Sequence, residues 1–320
     1  MTWVTAAWGI VIFTGFTAFA IWLHRLLDGR NFLLDAWERF RLGRKSLTEW
    51  DTHRLANQNQ TDIIVSLTTI PERIDKISDT LKSLFAQAIA PREIHLYAPA
   101  ISRRSGAKYE IPANLSVLKS IRIIRCDDHG PATKFLDALK TSMPDQRILV
   151  VDDDKLYPRC FLEQIEAQSN NFPDYALGYS GWRIPDDLTD RPTSFWLNVL
   201  RKPPAPVKSP WIKKKYAVDI LQGYSGYLVK PRFFDIEKLG DYRGAPEAAF
   251  YVDDVWLSAH CTVPKFVIPA ERFCMEPAKN HSLYKKTSLG KINSGGEDPT
   301  NRNNTILIRH FKEKWQKQGE

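Results

Sequence analysis

The stretch RILVVDDDKLYPRC, residues 147–160, places four consecutive aliphatic residues directly before three aspartates. An aliphatic run of this kind is typical of a buried strand. Adjacent carboxylates repel one another, and burial of a carboxylate is costly unless a positive charge meets it. A divalent metal ion is the simplest source of that charge. If the strand continues, Asp152 and Asp154 point to one side and Asp153 to the other.

Strand and helix patterns alternate around this stretch. Strands are predicted at residues 62–67, 93–99, 121–126 and 147–151, and helices at 72–87, 132–142 and 159–168. This alternation predicts an α/β fold with a mostly parallel central sheet. Ligands of such sheets collect at the carboxyl ends of the strands. Three polar stretches follow predicted strands there: TTIPER (68–73), DDHGPATK (127–134) and DDD (152–154).

The polar stretches indicate a site for a metal and a phosphate. Two carboxylates spaced like those of Asp152 and Asp154 suit Mg²⁺ or Mn²⁺, which bind one or two carboxylates together with substrate phosphates. Lys134 stands at a predicted helix start, where backbone N–H groups and a cation suit a diphosphate. A solvated turn that caps the next helix is the alternative for the aspartates, and an ordinary solvated lysine is the alternative at position 134.

The amino-terminal residues 2–23 form an apolar run without any charge. As a helix this run is roughly 33 Å long, enough to cross a bilayer core. A cleaved signal peptide would need a basic start and a shorter apolar core, so we predict an uncleaved anchor. Six basic residues follow within the next stretch, and the positive-inside rule then predicts a cytoplasmic catalytic domain. A Golgi-type lumenal orientation is the alternative, which the sequons at Asn59, Asn114, Asn280 and Asn303 would permit.

Domain limits follow from these patterns. We predict an anchor at residues 1–27, a juxtamembrane linker at 28–60, a catalytic domain at 61–288 and a basic polar tail at 289–320. Residues 32–50 mix aromatic residues with arginines and could lie on an anionic membrane surface, or form a plain linker helix.

Composition and motifs exclude several classes of site. The formal net charge of +8 fits an anionic partner such as a nucleotide or an acidic lipid, and it equally fits a soluble surface. No nucleic acid partner is expected. The four cysteines form no CxxC pair, so neither a zinc site nor a disulfide framework is predicted. The chain also lacks a P-loop, a dinucleotide-binding glycine motif and a serine nucleophile elbow.

Five motifs occur in an order that resembles the GT-A glycosyltransferases: VSLTTIPERI, GPATK, LVVDDD, GYSGYLV and YVDDVWLS. The resemblance covers about residues 60–285 and implies a nucleotide-binding sandwich with a D-x-D metal motif. It implies a metal site at Asp152 and Asp154 that His281 completes. It also implies a glycine loop near the acceptor at Gly223 and Gly226.

The same resemblance implies that the acidic pair Asp253 and Asp254 carries the catalytic base. The family often has Glu-Asp here, so the departure leaves open which carboxylate has which role. We predict Asp254, because it matches the second acidic position and lies one helical turn before Ser258. Two aspartates that merely cap a helix are the alternative.

Further residues are predicted to bind substrate. Trp182 would stack on an acceptor sugar, and the remaining positions would line the nucleotide cleft: Thr68, Arg73, Asp128, Lys134 and Asp153. A capping threonine, a surface arginine and a structural histidine are the alternatives for Thr68, Arg73 and His281.

The predicted function is therefore a membrane-anchored, Mn²⁺- or Mg²⁺-dependent glycosyltransferase. It would move a sugar from a nucleoside-diphosphate sugar to a hydroxyl of a glycan or lipid-linked acceptor. A non-catalytic protein that binds nucleotide sugars or glycans at the membrane is one alternative, and a nucleotidyltransferase on a similar sheet is another. The latter would be expected to carry a glycine-rich basic signature near its first strand, and VSLTTIPER has no glycine.

Overall fold

The computed structural model describes residues 3–290 and 292–315 of the chain. In that part of the chain there are thirteen α-helices. Their bounds are α1 Trp3–Asp28, α2 Phe32–Gly43, α3 Leu47–Leu55, α4 Ser78–Phe85, α5 Ala113–Ser116, α6 Thr133–Thr141, α7 Phe161–Asn171, α8 Phe195–Leu200, α9 Ile236–Leu239, α10 Asp253–His260, α11 His281–Thr287, α12 Asn303–His310 and α13 Lys312–Trp315.

Eleven strands lie in the same described ranges. Their bounds are β1 Ile64–Thr68, β2 Glu93–Tyr97, β3 Ile121–Ile124, β4 Ile148–Val150, β5 Ala176–Gly178, β6 Ser180–Trp182, β7 Val207–Lys208, β8 Tyr216–Ala217, β9 Ile220–Leu221, β10 Tyr227–Val229 and β11 Lys265–Val267.

The strands form one large and one small sheet. The large sheet has eight strands in the order β3-β2-β1-β4-β10-β5-β11-β8, and the small one has the order β7-β6-β9. Four of the seven neighbouring pairs in the large sheet are parallel. The prediction of an α/β fold with a mostly parallel central sheet is therefore confirmed. The parallel half of this sheet, β3-β2-β1-β4, consists of the four strands that the strand–helix alternation predicted.

Helices cover both faces of the large sheet. One apolar cluster joins α4 and α7 to one face, with Leu81, Phe85 and Phe161 fully buried. The other cluster joins α6 and α10 to the opposite face through Phe135 and Trp256. Alternate residues of the strands enter the two clusters, as the two-residue period of a strand requires. The core is therefore a layered sandwich with helices on both faces of the sheet.

Two segments differ from the sequence expectation. The helix predicted at residues 72–87 begins only at Ser78, because the residues before it form consecutive turns that direct Arg73 inward. The segment predicted as a polar tail contains α12, which packs against α10, and α13. Their apolar residues are buried in the second cluster: Leu307, Ile308, Phe311 and Trp315.

The first helix, α1, is apolar and stands apart from the sandwich. Residues Ala7–Asp28 are long and apolar enough to cross a membrane, and none of this window is buried by the rest of the chain. A helix with an apolar surface all round needs an apolar environment. Gly29, at φ +71°, then turns the chain into α2.

Candidate active site

A cavity of about 460 Å³ opens at the carboxyl-terminal ends of the parallel strands. The segments after β1, β3 and β4 form one side, and the start of α10 forms the other. Most predicted site residues line this cavity: Thr68, Arg73, Asp128, Lys134, Asp152, Asp153, Asp154, Trp182, Asp253 and Asp254. The sheet thus brings together the polar ends of three separate predicted strands.

Lys134 lies at the centre of a buried cluster of charges. Its Nζ is 2.7 Å from Asp152 Oδ1 and 2.8 Å from Asp253 Oδ2, and the residue is only 5% exposed. Burial by itself would lower the pKa of Lys134. The carboxylates of Asp152, Asp253 and Asp254 outweigh that effect and raise the pKa well above its usual value. Lys134 is thus buried and paired with two carboxylates, and the alternative of a solvated lysine does not hold.

Asp254 is held by the loop between β9 and β10. The backbone N–H of Gly223 donates a 2.9 Å hydrogen bond to Asp254 Oδ1. One turn along α10, Ser258 Oγ accepts from the N–H of Leu221 at 3.1 Å. These two contacts fix the helix against β9, so the position of Asp254 in the cavity is well defined. Burial and the neighbouring charge of Asp253 raise the pKa of Asp254 well above its ordinary range.

The three consecutive aspartates divide between two cations, with Asp152 on Lys134 and both Asp153 and Asp154 on Arg73. β4 ends at Val150, so the alternation that the sequence predicted for Asp152 and Asp154 does not continue. Asp153 instead shares Arg73 with Asp154, at 3.0 and 3.3 Å from Nη1. Asp153 is buried and also accepts a 2.5 Å hydrogen bond from Thr69 Oγ1.

Arg73 is anchored in turn. Its Nε donates to Thr287 Oγ1 at 2.7 Å, which ties the segment after β1 to the end of α11. Burial would lower the pKa of Arg73, but Asp153 and Asp154 raise it above its usual value. The guanidinium of Arg73 therefore compensates part of the negative charge of Asp153 and Asp154.

Carboxylates outnumber cationic side chains in the lining of the cavity. Six carboxylates line it, and they face four cationic side chains, namely Arg73, Arg104, Lys134 and Lys155. Asp154 Oδ1 is buried without a hydrogen-bond partner, and Lys155 Nζ is 3.6 Å away from it. Ionisation of all six carboxylates, which a bound divalent cation would favour, leaves a formal excess of two negative charges.

The donor set fits only a particular kind of metal site. Among residues 3–290 and 292–315, no three His, Cys, Asp or Glu side chains are placed to hold a metal ion by themselves. The metal site at Asp152 and Asp154 therefore stays a prediction. Mg²⁺ or Mn²⁺ would suit such a pair of carboxylates, because these ions keep several positions for water and substrate phosphates.

Some predicted residues lie outside the cavity lining. His281 is exposed at the start of α11, and its role as a metal ligand stays a prediction. Gly223 lies behind the cavity, where a Cβ atom would be 2.7 Å from Lys134 Nζ. Gly226 has φ +89°, and a Cβ atom there would be 2.5 Å from Phe161 Cζ. The glycines therefore allow close packing around Lys134 and Phe161, and a direct contact with an acceptor stays a prediction.

Thr68 and Asp128 shape the other rim. Thr68 Oγ1 donates to the carbonyl of Tyr97 at 2.8 Å, across the parallel pair β1–β2. Asp128 accepts from the backbone N–H of Gly130 at 2.7 Å and of Arg103 at 2.6 Å. Trp182 is buried at the end of β6 and borders the cavity.

Several lining residues were missed in the sequence. They are Thr69, Tyr109, Gln222, Tyr224, Tyr251, Thr287, Asn293 and Asn304. Three of them stand inside motifs already quoted: Thr69 in VSLTTIPERI, Tyr224 in GYSGYLV and Tyr251 in YVDDVWLS. No local signal marks the other five, because their contribution depends on how distant segments meet.

Comparison with known proteins gives similarity at the level of solved structures. No family model and no curated protein matches the chain. S. aureus TarS 1–349 in complex with UDP-GlcNAc is similar at 12% identity and a TM-score of 0.43, with 69% of this chain and 61% of that chain covered. GalNAc-T7 with UDP, GalNAc and Mn²⁺ is similar at 12% identity and a TM-score of 0.44, with 79% and 50% covered.

A third similar structure is the mannosyltransferase PcManGT from Pyrobaculum calidifontis in complex with GDP-Man and Mn²⁺. It is 17% identical with a TM-score of 0.40, and 92% of this chain and 81% of that chain are covered. The chain spans 61% and 50% of the length of the first two proteins. Glycosyltransferases are thus among the similar solved structures, as the resemblance predicted. Sequence identities and TM-scores this low assign no activity, donor or acceptor to this chain.

Proposed function

We propose that the protein is a membrane-anchored, divalent-metal-dependent glycosyltransferase. It would transfer a sugar from a nucleoside-diphosphate sugar to a hydroxyl of a glycan or a lipid-linked acceptor. The observation that carries this proposal is the meeting of three motifs around Lys134. GPATK supplies the cation, LVVDDD supplies Asp152, and YVDDVWLS supplies Asp253 and Asp254 on the opposite side of the cavity.

The donor would lie between the strand ends and α10. Asp152 and Asp154 would hold Mn²⁺ or Mg²⁺, which would supply positive charge to the diphosphate as it leaves. Thr68, Arg73 and Asp128 would border the nucleotide. Trp182 borders the cavity, and an acceptor sugar would stack on the part of its ring that the cavity exposes.

Asp254 is the proposed general base. If the reaction inverts, the acceptor hydroxyl would give its proton to the Asp254 carboxylate as its oxygen bonds to the anomeric carbon of the donor sugar. The bond from that carbon to the diphosphate oxygen would break in the same displacement, and the nucleoside diphosphate would leave. Asp253 is a poorer base because Lys134 pairs with its Oδ2 at 2.8 Å. Lys134 would therefore position Asp152 and Asp253, and Asp254 would act on the acceptor.

The helix α1 would anchor this domain to a membrane. Its length and its exposed apolar surface support a single span. The basic residues that follow it support a cytoplasmic position of the catalytic domain. A lipid-linked or membrane-bound glycan acceptor would then lie within reach of the cavity.

A panel of nucleotide sugars tests the proposed function. Purified full-length protein is incubated with each donor and Mn²⁺, and the release of nucleoside diphosphate is measured. Release that Asp254→Asn abolishes supports a transferase. Donor binding without any release would instead favour a binding protein, and pyrophosphate release from a nucleoside triphosphate would favour a nucleotidyltransferase.

A further inference from the structure

Helix α2 has its charged and apolar faces reversed relative to an ordinary surface helix. Asp35 and Glu38 face inward and are only 3% and 4% exposed. The outward face carries large apolar residues instead, namely Leu33, Leu34, Trp37 and Phe40, which are 41–58% exposed. A surface helix in water normally has the opposite arrangement. The outward face of α2 is therefore suited to an apolar environment.

Arginine side chains compensate the buried carboxylate of Asp35 on the inward face of α2. Asp35 Oδ2 lies 3.4 Å from Arg30 Nε, and Asp35 Oδ1 lies 3.7 Å from Arg272 Nη2. Arg39 Nη2 also donates to the carbonyl of Glu276 at 3.0 Å. These contacts attach α2 to the segment after β11 and fix its apolar face outward. Rotation of the helix to hide that face would break the ion pairs of Asp35.

Helix α8 presents a second exposed apolar group. Phe195, Trp196 and Leu200 are 52%, 68% and 60% exposed, and no residue of α8 is buried. Exposed basic residues stand close by in the sequence, at Arg201 and Lys202. An aromatic and aliphatic group beside cations is typical of segments that lie in the interface of an anionic bilayer.

Hydrogen bonds connect the α8 region to the membrane-proximal end of α1. Arg201, the residue after α8, donates from Nη2 to the carbonyl of Trp211 at 2.7 Å. Trp211 Nε1 in turn donates to the carbonyl of Arg25 in the last turn of α1, at 2.9 Å. Lys208 Nζ contacts the carbonyl of Asp28 at 3.3 Å. Both α8 and α2 therefore adjoin the same end of α1.

We propose that α2 and α8 form a second, interfacial membrane contact beside the anchor. This membrane-facing surface consists of Leu33, Leu34, Trp37 and Phe40 of α2 and Phe195, Trp196 and Leu200 of α8. It inserts its apolar side chains among the lipid headgroups of the bilayer that holds α1. Arg201 and Lys202 contact anionic headgroups. The inference rests on the proposed membrane span of α1 and is independent of the transferase chemistry.

Depth measurements on spin-labelled protein in vesicles test this surface. The full chain is reconstituted into phosphatidylcholine vesicles that contain phosphatidylglycerol. In three separate variants a single cysteine replaces Trp37, Trp196 or Phe16, the last of which lies in α1. In a fourth variant it replaces Met143, an apolar residue that is 75% exposed and serves as the control. The labelled parent chain gives the background from its native cysteines. Collision with oxygen, which enriches in lipid, is compared with collision with a water-soluble nickel complex.

The expected result is that labels in Trp37→Cys and Trp196→Cys collide more with oxygen than with nickel, whereas the label in Met143→Cys shows the reverse. A lipid-exposed label in Phe16→Cys together with a water-exposed label at either Trp37 or Trp196 would overturn the interfacial contact while leaving the anchor intact. Protection from both reagents, which indicates burial by protein, would overturn it too. If the label in Phe16→Cys lies in water, the anchor itself is wrong and the inference fails with it.

Discussion

Lys134 Nζ lies 2.8 Å from Asp253 Oδ2, and this ion pair joins α6 to the first turn of α10 across the cavity. Asp152 Oδ1 lies on the same ammonium group at 2.7 Å. One buried cation therefore orders carboxylates from both sides of the proposed active site. Its removal would leave these carboxylates close together and uncompensated.

Lys134→Met is expected to lower the free energy of unfolding by about 3–5 kcal/mol, because removal of one partner leaves buried charges unpaired. Urea denaturation without added metal measures this loss. Adding Asp253→Asn to the same variant should restore part of the stability, since one of the unpaired charges is then gone. Lys119→Met, which removes an exposed lysine, is the control and should change little. Equal stability of Lys134→Met and Lys119→Met would contradict a central role for the ion pair.

Asp152→Asn combined with Asp154→Asn removes two negative charges from the cavity while keeping the side-chain shapes. Nucleotide-sugar binding should lose its dependence on Mn²⁺, and turnover should collapse, because the two proposed metal ligands are then neutral. Calorimetric titration with and without Mn²⁺ measures the first effect. The matched control is Asp145→Asn with Asp174→Asn, which removes two exposed carboxylates that pair with Arg232. Unchanged metal dependence in the first variant would exclude the aspartates as ligands.

Asp254→Asn should lower turnover by about 10²–10⁴-fold, the usual contribution of a positioned general base. Donor affinity should stay near that of the parent, because the amide oxygen of an asparagine still accepts the hydrogen bond from Gly223. Steady-state rates together with donor titrations separate the two quantities. A near-normal rate would point to Asp253 or to a mechanism without such a base.

His260 is expected to make the fold sensitive to acid. Burial lowers the pKa of His260 from 6.5 to about 4. Between these values the unfolded chain binds a proton that the folded chain does not, so stability is lost as the pH falls from 6.5 towards 4. The loss is on the order of 1–3 kcal/mol. Urea midpoints of His260→Gln across this window should fall less steeply than those of the parent.

The exposed residue His281 provides the control for that experiment. His281→Gln should retain the pH dependence of the parent, because His281 lies outside the cluster that His260 forms with Trp256 and Phe311. Identical slopes for the parent and His260→Gln would show that other groups determine the acid sensitivity.

A reporter fused after Glu320 tests the proposed membrane orientation. A reporter enzyme that is active only in the cytoplasm should be active in this fusion. The basic residues after α1 favour a cytoplasmic location for the part of the chain that follows α1. A fusion to a reporter active only outside the cytoplasm should be silent. The reverse pattern would establish the lumenal orientation and make the sequons accessible for glycosylation.

Local patterns in the sequence determined the strand–helix alternation, the apolar helix α1 and the carboxylates after β4. Apolar residues repeat every two residues in a strand and about every 3.6 residues in a helix. Both patterns are visible within a short stretch of sequence, so these elements can be predicted without knowledge of the fold. The strands' order in a parallel sheet also implied that polar strand ends would gather at one edge. Seven predicted site residues line one cavity for that reason: Thr68, Arg73, Asp128, Lys134, Asp152, Asp153 and Asp154.

Only the tertiary structure decided how these residues pair. β4 ends at Val150, and beyond it Asp152 pairs with Lys134 whereas Asp154 pairs with Arg73. Burial of Lys134 between carboxylates from distant segments has no local signature. The outward apolar face of α2 likewise depends on Arg272, which is remote in sequence. Such pairings arise from three-dimensional packing of segments far apart along the chain, which periodicity within a short window cannot encode.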